Sequence, residues 1–494
     1  MDFSMSIKDA QSPCFLGLDL GTSSCKARII DVSGQSVSIA HSAYPTHRPQ
    51  NGWAEQNPSD WWEAVVSCLA QLREHLPAIQ SMALTSAAHI AVLLDAQDRV
   101  LRPAILWNDQ RAAQEADEFN QQAGALILEQ TCQRASPGWS LAQLAWIAKY
   151  EPQTWAKVRH ILLSKDYLAW RLTGEKITDP ATAVSSQLYD TLKNNWSNEL
   201  CQRIDLDPHA LPTIKPTRHI VGQITAQAAT ELGLPAGISV INGSLDSATE
   251  LLAAGCITPG QSVIRLATAG GLQMVLPHRT PHNRRITYPH LIEPYWYTQA
   301  GTNTCAAAIQ WAMNLIDPQM TFEDAQNLAR QSDPGANGVL FHPYLAGERA
   351  PYWNPNLRAT FSHLASSHTR ADLMRSVYEG TAMSIRDAAC VLEDPFNGDQ
   401  PIAVIGGGAK CRLWVQILAS VINQQLRCLT DCDSASGAAQ LAMSTTTRQS
   451  ITRLPTPPDT EVLIQPNVTW IDGYQQLFEQ YQNLARQMSQ SSML

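Results

Sequence analysis

The chain has 494 residues, of which 44% are hydrophobic and only 16% charged. At roughly 100–200 residues per domain this suggests two to four domains, and the low charge excludes a highly charged disordered chain. The 35 basic and 44 acidic side chains leave a formal charge of −9, which argues against a broad nucleic-acid or anionic-membrane footprint. No stretch approaches the ~18 uninterrupted apolar residues of a membrane helix. The N-terminal segment up to Cys14 lacks the basic and apolar regions of a signal peptide. Eleven scattered cysteines, an odd number with no tight framework, fit reduced thiols in a cytoplasmic protein. Cys428 and Cys432 are close, but without a second pair or a histidine partner they do not make a zinc set.

The first strong pattern is residues 15–31, where two apolar runs flank a Gly-Thr-Ser-Ser turn and predict a β-hairpin. Residues 57–79 read as a helix with Ser59 or Asp60 near its N-cap. Strands are expected over Met82–Thr85 and Ile90–Leu94, separated by Ser86–His89, and residues 111–150 read as mostly helical with a break at 136–138. A second block starts at Ile238, where a strand is expected to enter a small-residue turn near Asp246 and then a helix from Ala248 to Ala254. Ser262–Leu266 followed by Ala267–Gly271 repeats the first block's logic of a strand and a Thr/Gly turn. The halves therefore look architecturally related, and the restart places the expected boundary between 1–249 and 250–494. Ile402–Ala409 gives a third Gly turn before a helix over about 411–423. Residues 448–468 read as a Pro- and Thr-rich surface connection, and 471–489 as a closing helix. Trp61, Trp146 and Trp311 sit at helical spacings and read as packing residues.

Three turns combine Gly with Thr or Ser after apolar strands, over 17–24, 266–271 and 405–409. Glycine lets a backbone approach a phosphate closely, and exposed N–H and hydroxyl groups can donate to its oxygens. No Gly-x-x-x-x-Gly-Lys-Ser/Thr loop and no protein-kinase motif set occurs, so any phosphate binding uses another scaffold. Asp19 ends a strand just before Gly21-Thr22; it reads either as a turn former or as a carboxylate ordering magnesium through water. Asp246 reads either as a helix N-cap or as a general base taking a hydroxyl proton. His89 is either a structural hydrogen-bonder or a pocket residue. Trp107, Asn108 and Asp109 either line a polyol pocket or combine a core Trp with a helix cap.

Taken together, Gly17–Lys26, Gly52–Trp61, Leu94–Asp109, Leu172–Gly174, Pro343–Pro351, Glu379-Gly380 and Gly406–Lys410 resemble the FGGY carbohydrate kinases, most closely their xylulokinase branch. The likeness runs from about residue 15 to about 445. It implies an α/β fold of two actin-like, ribonuclease-H-like domains with an interdomain cleft. It also implies ATP-dependent phosphorylation of a sugar hydroxyl with Mg2+. By motif position Asp19 falls on the metal aspartate, with Gly21, Thr22 and Ser23 in the first phosphate turn. Thr268 and Gly270 fall on the second phosphate turn, and Gly407, Gly408 and Ala409 on the nucleotide-binding turn. Asp246 falls on the catalytic base, which also touches substrate, and His89 on the histidine of a sugar motif. The surroundings of His89, Asp246 and Thr268 depart from the family pattern, reading Ala87-Ala-His-Ile90, Leu245-Asp-Ser-Ala248 and Ala267-Thr-Ala269. The expected enzyme is a ketopentose kinase acting on the 5-hydroxyl of D-xylulose. L-xylulose, D-ribulose, a polyol, or a non-catalytic actin-like nucleotide-binding protein stand as alternatives. The expected partners are a small sugar and ATP, with no nucleic acid, no membrane, and a homodimer as an open option.

Overall fold

The computed structural model describes residues 12–396, 398, 400–454 and 461–491. The N-terminal leader and part of the expected connection, 455–460, lie outside the described residues. The chain divides into two compact units, Met1–Ala253 with Ser434–Pro457, and Ala254–Asp433 with Pro458–Leu494. The expected division at 249/250 falls inside the helix Asp246–Ala253, and it assigns to the second half the segment from Ser434 that packs in the first unit. The cause is the helix Ser434–Thr447, whose backbone lies directly against the first sheet. A Cβ on Gly17 would sit 2.0 Å from the carbonyl oxygen of Ala435, and one on Gly437 would sit 1.9 Å from that of Thr249. Only glycine permits such approach.

The first unit is built on a six-stranded mixed sheet. Its strands are β1 (Cys14–Leu20), β2 (Ser24–Asp31), β3 (Ser36–Ala43), β4 (Ile79–Ser86), β5 (Ile220–Gln223) and β6 (Ser239–Leu245), in the order β5-β6-β4-β1-β2-β3. β1–β2–β3 form an antiparallel meander, whereas β1, β4 and β6 run parallel. β1 is buried along its whole length, as its near-continuous apolar sequence requires of a strand covered on both faces. The helix Pro58–Gln71 buries Trp61, Trp62, Val65, Cys68 and Leu69, a 3.6-period stripe, against this sheet's core. It starts earlier than Ser59 because Pro58 suits the first helical position, with Asn57 as N-cap, and it ends at Gln71 rather than near 79. The next residues form a turn and then β4. The expected helical block of 111–150 is observed as Ala113–Thr131 and Ser140–Tyr150.

The second unit carries a seven-stranded sheet: β7 (Ser262–Leu266), β8 (Gly270–Leu276), β9 (Ile286–Pro289), β10 (Trp296–Thr302), β11 (Ile402–Ile405), β12 (Leu426–Leu429) and β13 (Glu461–Ile464). The order is β9-β10-β8-β7-β11-β12-β13. Without β9 the pairing pattern is that of the first sheet: an antiparallel meander, two parallel neighbours, and an antiparallel edge. The repeat inferred from two strand–turn signals is thus a repeat of sheet topology. β13 corrects the reading of 448–468 as connection alone: Val462 and Ile464 alternate into the core beside β12. The closing helix is Ile471–Ser491. Trp61, Trp146 and Trp311 all lie in helices. Among the described residues no helix is long and apolar enough to cross a membrane.

Candidate active site

In the first unit the parallel strands end in register, with Leu20 and Leu245 both level with Ser86. At ~4.8 Å between neighbouring strands, the tips of β1 and β6 are about 10 Å apart. Each carries a carboxylate. Asp19 is buried near the end of β1, where its Oδ2 accepts a hydrogen bond from Ser434 Oγ at 2.5 Å. Asp246 follows β6 directly and is the first residue of the helix Asp246–Ala253, so strand passes into helix without the expected turn. It is half-buried, and its Oδ1 accepts from the backbone N–H of Ser247 at 2.7 Å. The Asn-Gly-Ser sequence expected to turn lies within β6 as a bulge, with Gly243 at φ 75° and no room for a Cβ against the Leu84 carbonyl.

The turn expected to bind phosphate joins β1 to β2 and is braced by side chains. Gly21 N–H donates to the Ser24 carbonyl at 3.0 Å, closing the turn. The Trp107 indole N–H donates to Thr22 Oγ1 at 3.0 Å, Gln56 Nε2 donates to the Thr22 carbonyl at 2.8 Å, and the Tyr44 hydroxyl donates to the Gly21 carbonyl. Burial pushes the Tyr44 phenol well up, which keeps it a donor. Ser23 is exposed.

His89 is buried with φ 67°, a conformation uncommon outside glycine. Its Nδ1 donates to the Ser185 carbonyl at 2.6 Å, and its ring stacks on Trp139 at 4.7 Å. Because a carbonyl can only accept, that bond places a proton on Nδ1 and fixes the orientation of the ring. Trp107 is half-buried, and its carbonyl is approached so closely by Gly138 that a Cβ there would lie at 1.7 Å. Among the described residues the buried Asn108 Oδ1 has no hydrogen-bond partner, which leaves an acceptor for a ligand hydroxyl. Asp109 differs from its neighbours. It is fully buried, and its carboxylate accepts from Ala54 N–H and from the backbone and guanidinium of Arg111. Expected to line a polyol pocket, it instead braces Arg111, whose guanidinium lies 3.7 Å over the Trp53 ring.

A further set of site-forming residues escaped sequence reasoning. Lys165, Asp166, Asp179, Asn242 and Ser244 are all fully buried and bonded beneath β6. Burial disfavours the Lys165 charge, but Asp166 and Asp179 outweigh it and hold the ammonium's pKa up. Burial likewise pushes the Asp166 carboxyl up against the pull of Lys165. The available signal was a Lys-Asp pair interrupting the apolar run from Ile161 to Leu168.

In the second unit Thr268 and Gly270 lie in the β7–β8 hairpin. Its support is backbone: Cys305 N–H donates to the Thr268 carbonyl at 2.9 Å and Ala306 N–H to that of Ala267 at 2.8 Å. The buried Glu348 accepts from Asn303 N–H at 2.7 Å and Arg349 N–H at 2.8 Å, holding the segment that bears Cys305. Burial pushes its carboxyl up to about 8. Gly407, Gly408 and Ala409 form a tight turn after β11, next to β7 in the sheet. A Cβ on Gly408 would lie 2.4 Å from the Trp414 ring, whereas Gly407 faces open space. Beside this turn a cavity of about 190 Å³ is lined by Lys410, Arg412, Thr430 and Val462 among others. The structure thus gathers Asp19, Thr22, Trp107, His89 and Asp246 around the first sheet's strand ends, and Thr268, Gly270 and the 407–409 turn at those of the second.

The model of the N-terminal domain of the FGGY family of carbohydrate kinases matches residues 14–253, and that of its C-terminal domain matches 270–446. The chain belongs to this family. The xylulose kinase of Escherichia coli (strain K12) is 32% identical over 436 residues, 87% of this chain and 89% of that protein. A crystal structure of a xyloylose kinase from Brucella ovis shares 31% identity with a TM-score of 0.88, covering 95% of this chain and 98% of that one. One of xylulose kinase from Rhodospirillum rubrum shares 27% with a TM-score of 0.89, covering 97% and 100%. As an FGGY kinase the chain has a two-domain, mixed α/β sugar-kinase fold and is an ATP-dependent carbohydrate kinase.

Proposed function

We propose that this FGGY kinase transfers the γ-phosphoryl group of ATP to the 5-hydroxyl of D-xylulose, with Asp246 as general base. The observation that carries the reading is a half-buried carboxylate at the end of β6, beside strands bearing Asp19 and leading to His89. Similarity to several xylulose kinases over most of the chain supports the ketopentose. His89 Nε2, Trp107 and the open acceptor of Asn108 would orient the sugar. Asp246 accepts the hydroxyl proton as its oxygen attacks the γ-phosphorus and the bond to the ADP oxygen breaks. The 21–23 turn, Thr268, Gly270 and the 407–409 turn are read as the phosphate and nucleotide contacts.

Mg2+ suits the residues present. Among the described residues no group of three or more potential ligands gathers. A magnesium ion needs only one or two carboxylates when substrate phosphates and waters complete its shell. Asp19 would hold it, and the bound ion would neutralise charge on the transferring phosphoryl group. Cytoplasmic placement belongs to the same reading, through the reduced thiols. ADP release in the presence of ATP and Mg2+ tests the function across D-xylulose, L-xylulose, D-ribulose, gluconate and polyols. D-xylulose should give the highest kcat/KM, and stimulation by none of them would leave a nucleotide-binding protein without kinase activity. Asp246→Asn should lower turnover by about 10²–10⁴-fold at unchanged ATP binding, and near-normal turnover would remove the base assignment.

A further inference from the structure

Beneath β6 lies a fully buried cation that no catalytic step above uses. Lys165 Nζ is 2.9 Å from Asn242 Oδ1, 2.8 Å from Asp166 Oδ1 and 3.5 Å from Asp179 Oδ1. Ser244 Oγ donates to the other oxygen of Asp179 at 2.7 Å. Asn242 and Ser244 stand four and two residues before Asp246 on the strand that delivers it. The bulge between Ile241 and Ser244 resets the strand's alternation at this point, and both side chains reach the cluster.

The other end of the cluster leads to the sugar-binding histidine. Asp179 caps the helix Pro180–Ser185 by accepting from the N–H groups of Ala181 and Thr182. The carbonyl of Ser185, at the far end of that helix, receives Nδ1–H of His89. A chain of hydrogen bonds, one ion pair between Lys165 and Asp179 and one short helix therefore runs from the strand bearing Asp246 to the imidazole.

A buried ammonium with two carboxylates is a poor source of stability, because desolvation offsets most of the attraction and apolar side chains of the same volume would serve as well. What such a cluster does supply is geometry, since its bonds are directional and each lost partner leaves a buried charge unmet. We infer that Lys165 is a positioning residue that sets the distance between the base Asp246 and the sugar-orienting ring of His89. This rests on the reading of those two residues given above.

The test uses Lys165→Met, Ser244→Ala and the parent enzyme, with kcat and KM for sugar and ATP measured separately. The His89 C2-proton NMR signal, identified by its loss in His89→Gln, is followed in parallel. Ser244→Ala keeps the ion cluster and removes one bond to it, so it should fold and lower kcat/KM for the sugar about tenfold. The ATP KM should stay within twofold and the His89 signal should shift. Lys165→Met should lose about 100-fold or more in the same parameter. If Lys165→Met does not fold, Ser244→Ala decides. A folded Ser244→Ala enzyme with parental sugar kinetics and an unmoved His89 signal overturns the inference, whatever its melting temperature. Failure of the base reading shows itself separately, as turnover retained by Asp246→Asn, and the His89 signal then still reports whether the cluster sets the ring.

Discussion

The two hairpins whose turns are proposed to hold phosphate share a pattern and are supported by different means. In each unit a central strand turns back on small residues, pairs antiparallel with the next strand, and has a parallel neighbour on its other side. The second-last residue of the first strand is Asp19 in one hairpin and Arg265 in the other. A carboxylate at that place suits a cation and a guanidinium suits an anion. The first turn is held by side chains of Tyr44, Gln56 and Trp107. The second is held by backbone N–H groups at the start of the helix Ala306–Ile316. A turn tied to Trp107, which is read above as a sugar-pocket residue, would respond to sugar. One tied to the main chain of the helix that follows responds to the packing of that helix.

The largest effect should come from the charge difference. Asp19→Ala is expected to lower Mg2+-dependent turnover by on the order of 10²-fold or more, as the loss of several kcal/mol of charge stabilisation implies. Sugar binding measured by calorimetry without nucleotide should change little. An equal loss of sugar affinity would move Asp19 into the sugar pocket and erase the contrast with Arg265.

Crowding gives the next test. Gly17→Ala would press a methyl to 2.0 Å from a backbone oxygen of the helix Ser434–Thr447, whereas in Gly270→Ala the nearest atom, at 2.7 Å, belongs to the Cys305 side chain. Overpacking costs about 1–3 kcal/mol and more where backbone must move, so urea denaturation should rank Gly17→Ala as the more damaging. The reverse order would mean that the second hairpin is the more rigid of the two.

The support of the second turn should also depend on pH. Glu348 favours its protonated form in the fold, at about 8 against an ordinary 4.5, because burial disfavours its charge. Its contribution is therefore complete below about 4.5 and declines as pH rises toward 8. Glu348→Gln keeps an acceptor without the ionisation. The stability difference between pH 5 and pH 8 should shrink in this variant, as followed by chemical denaturation, and an unchanged difference would dismiss Glu348 as the source. The smallest effect belongs to the first turn's brace. Trp107→Phe removes the bond to Thr22 and should cost about 1 kcal/mol, a several-fold rise in KM shared by sugar and ATP. A change in sugar KM alone would uncouple Trp107 from the phosphate turn.

The sequence made legible those parts whose signal is local. The hairpin at 14–31, the tight turn at 407–409 and the carboxylates at strand ends follow from alternation, glycine and position beside a turn. The helix start at 58 was readable in Pro58, but the N-cap was placed at Ser59 or Asp60 rather than Asn57, because both are also good caps. β13 was hidden by its short length and polar flanks, and only pairing with β12 makes it a strand.

Strand–turn periodicity by itself pointed to a chain of two related halves and singled out Asp19, His89 and Asp246 as candidates, since each signal depends on residues close together in the chain, whereas the carbohydrate-kinase reading came from the resemblance of its ordered motifs to the FGGY family. Only the tertiary structure decided that Asp109 is a brace, that Ser434 bonds to Asp19 across more than 400 positions, and that Lys165 joins Asn242 to Asp179. A carboxylate or ammonium looks alike in sequence whether it meets substrate or another side chain. Its partners come from distant segments, and burial determines which of them it must satisfy.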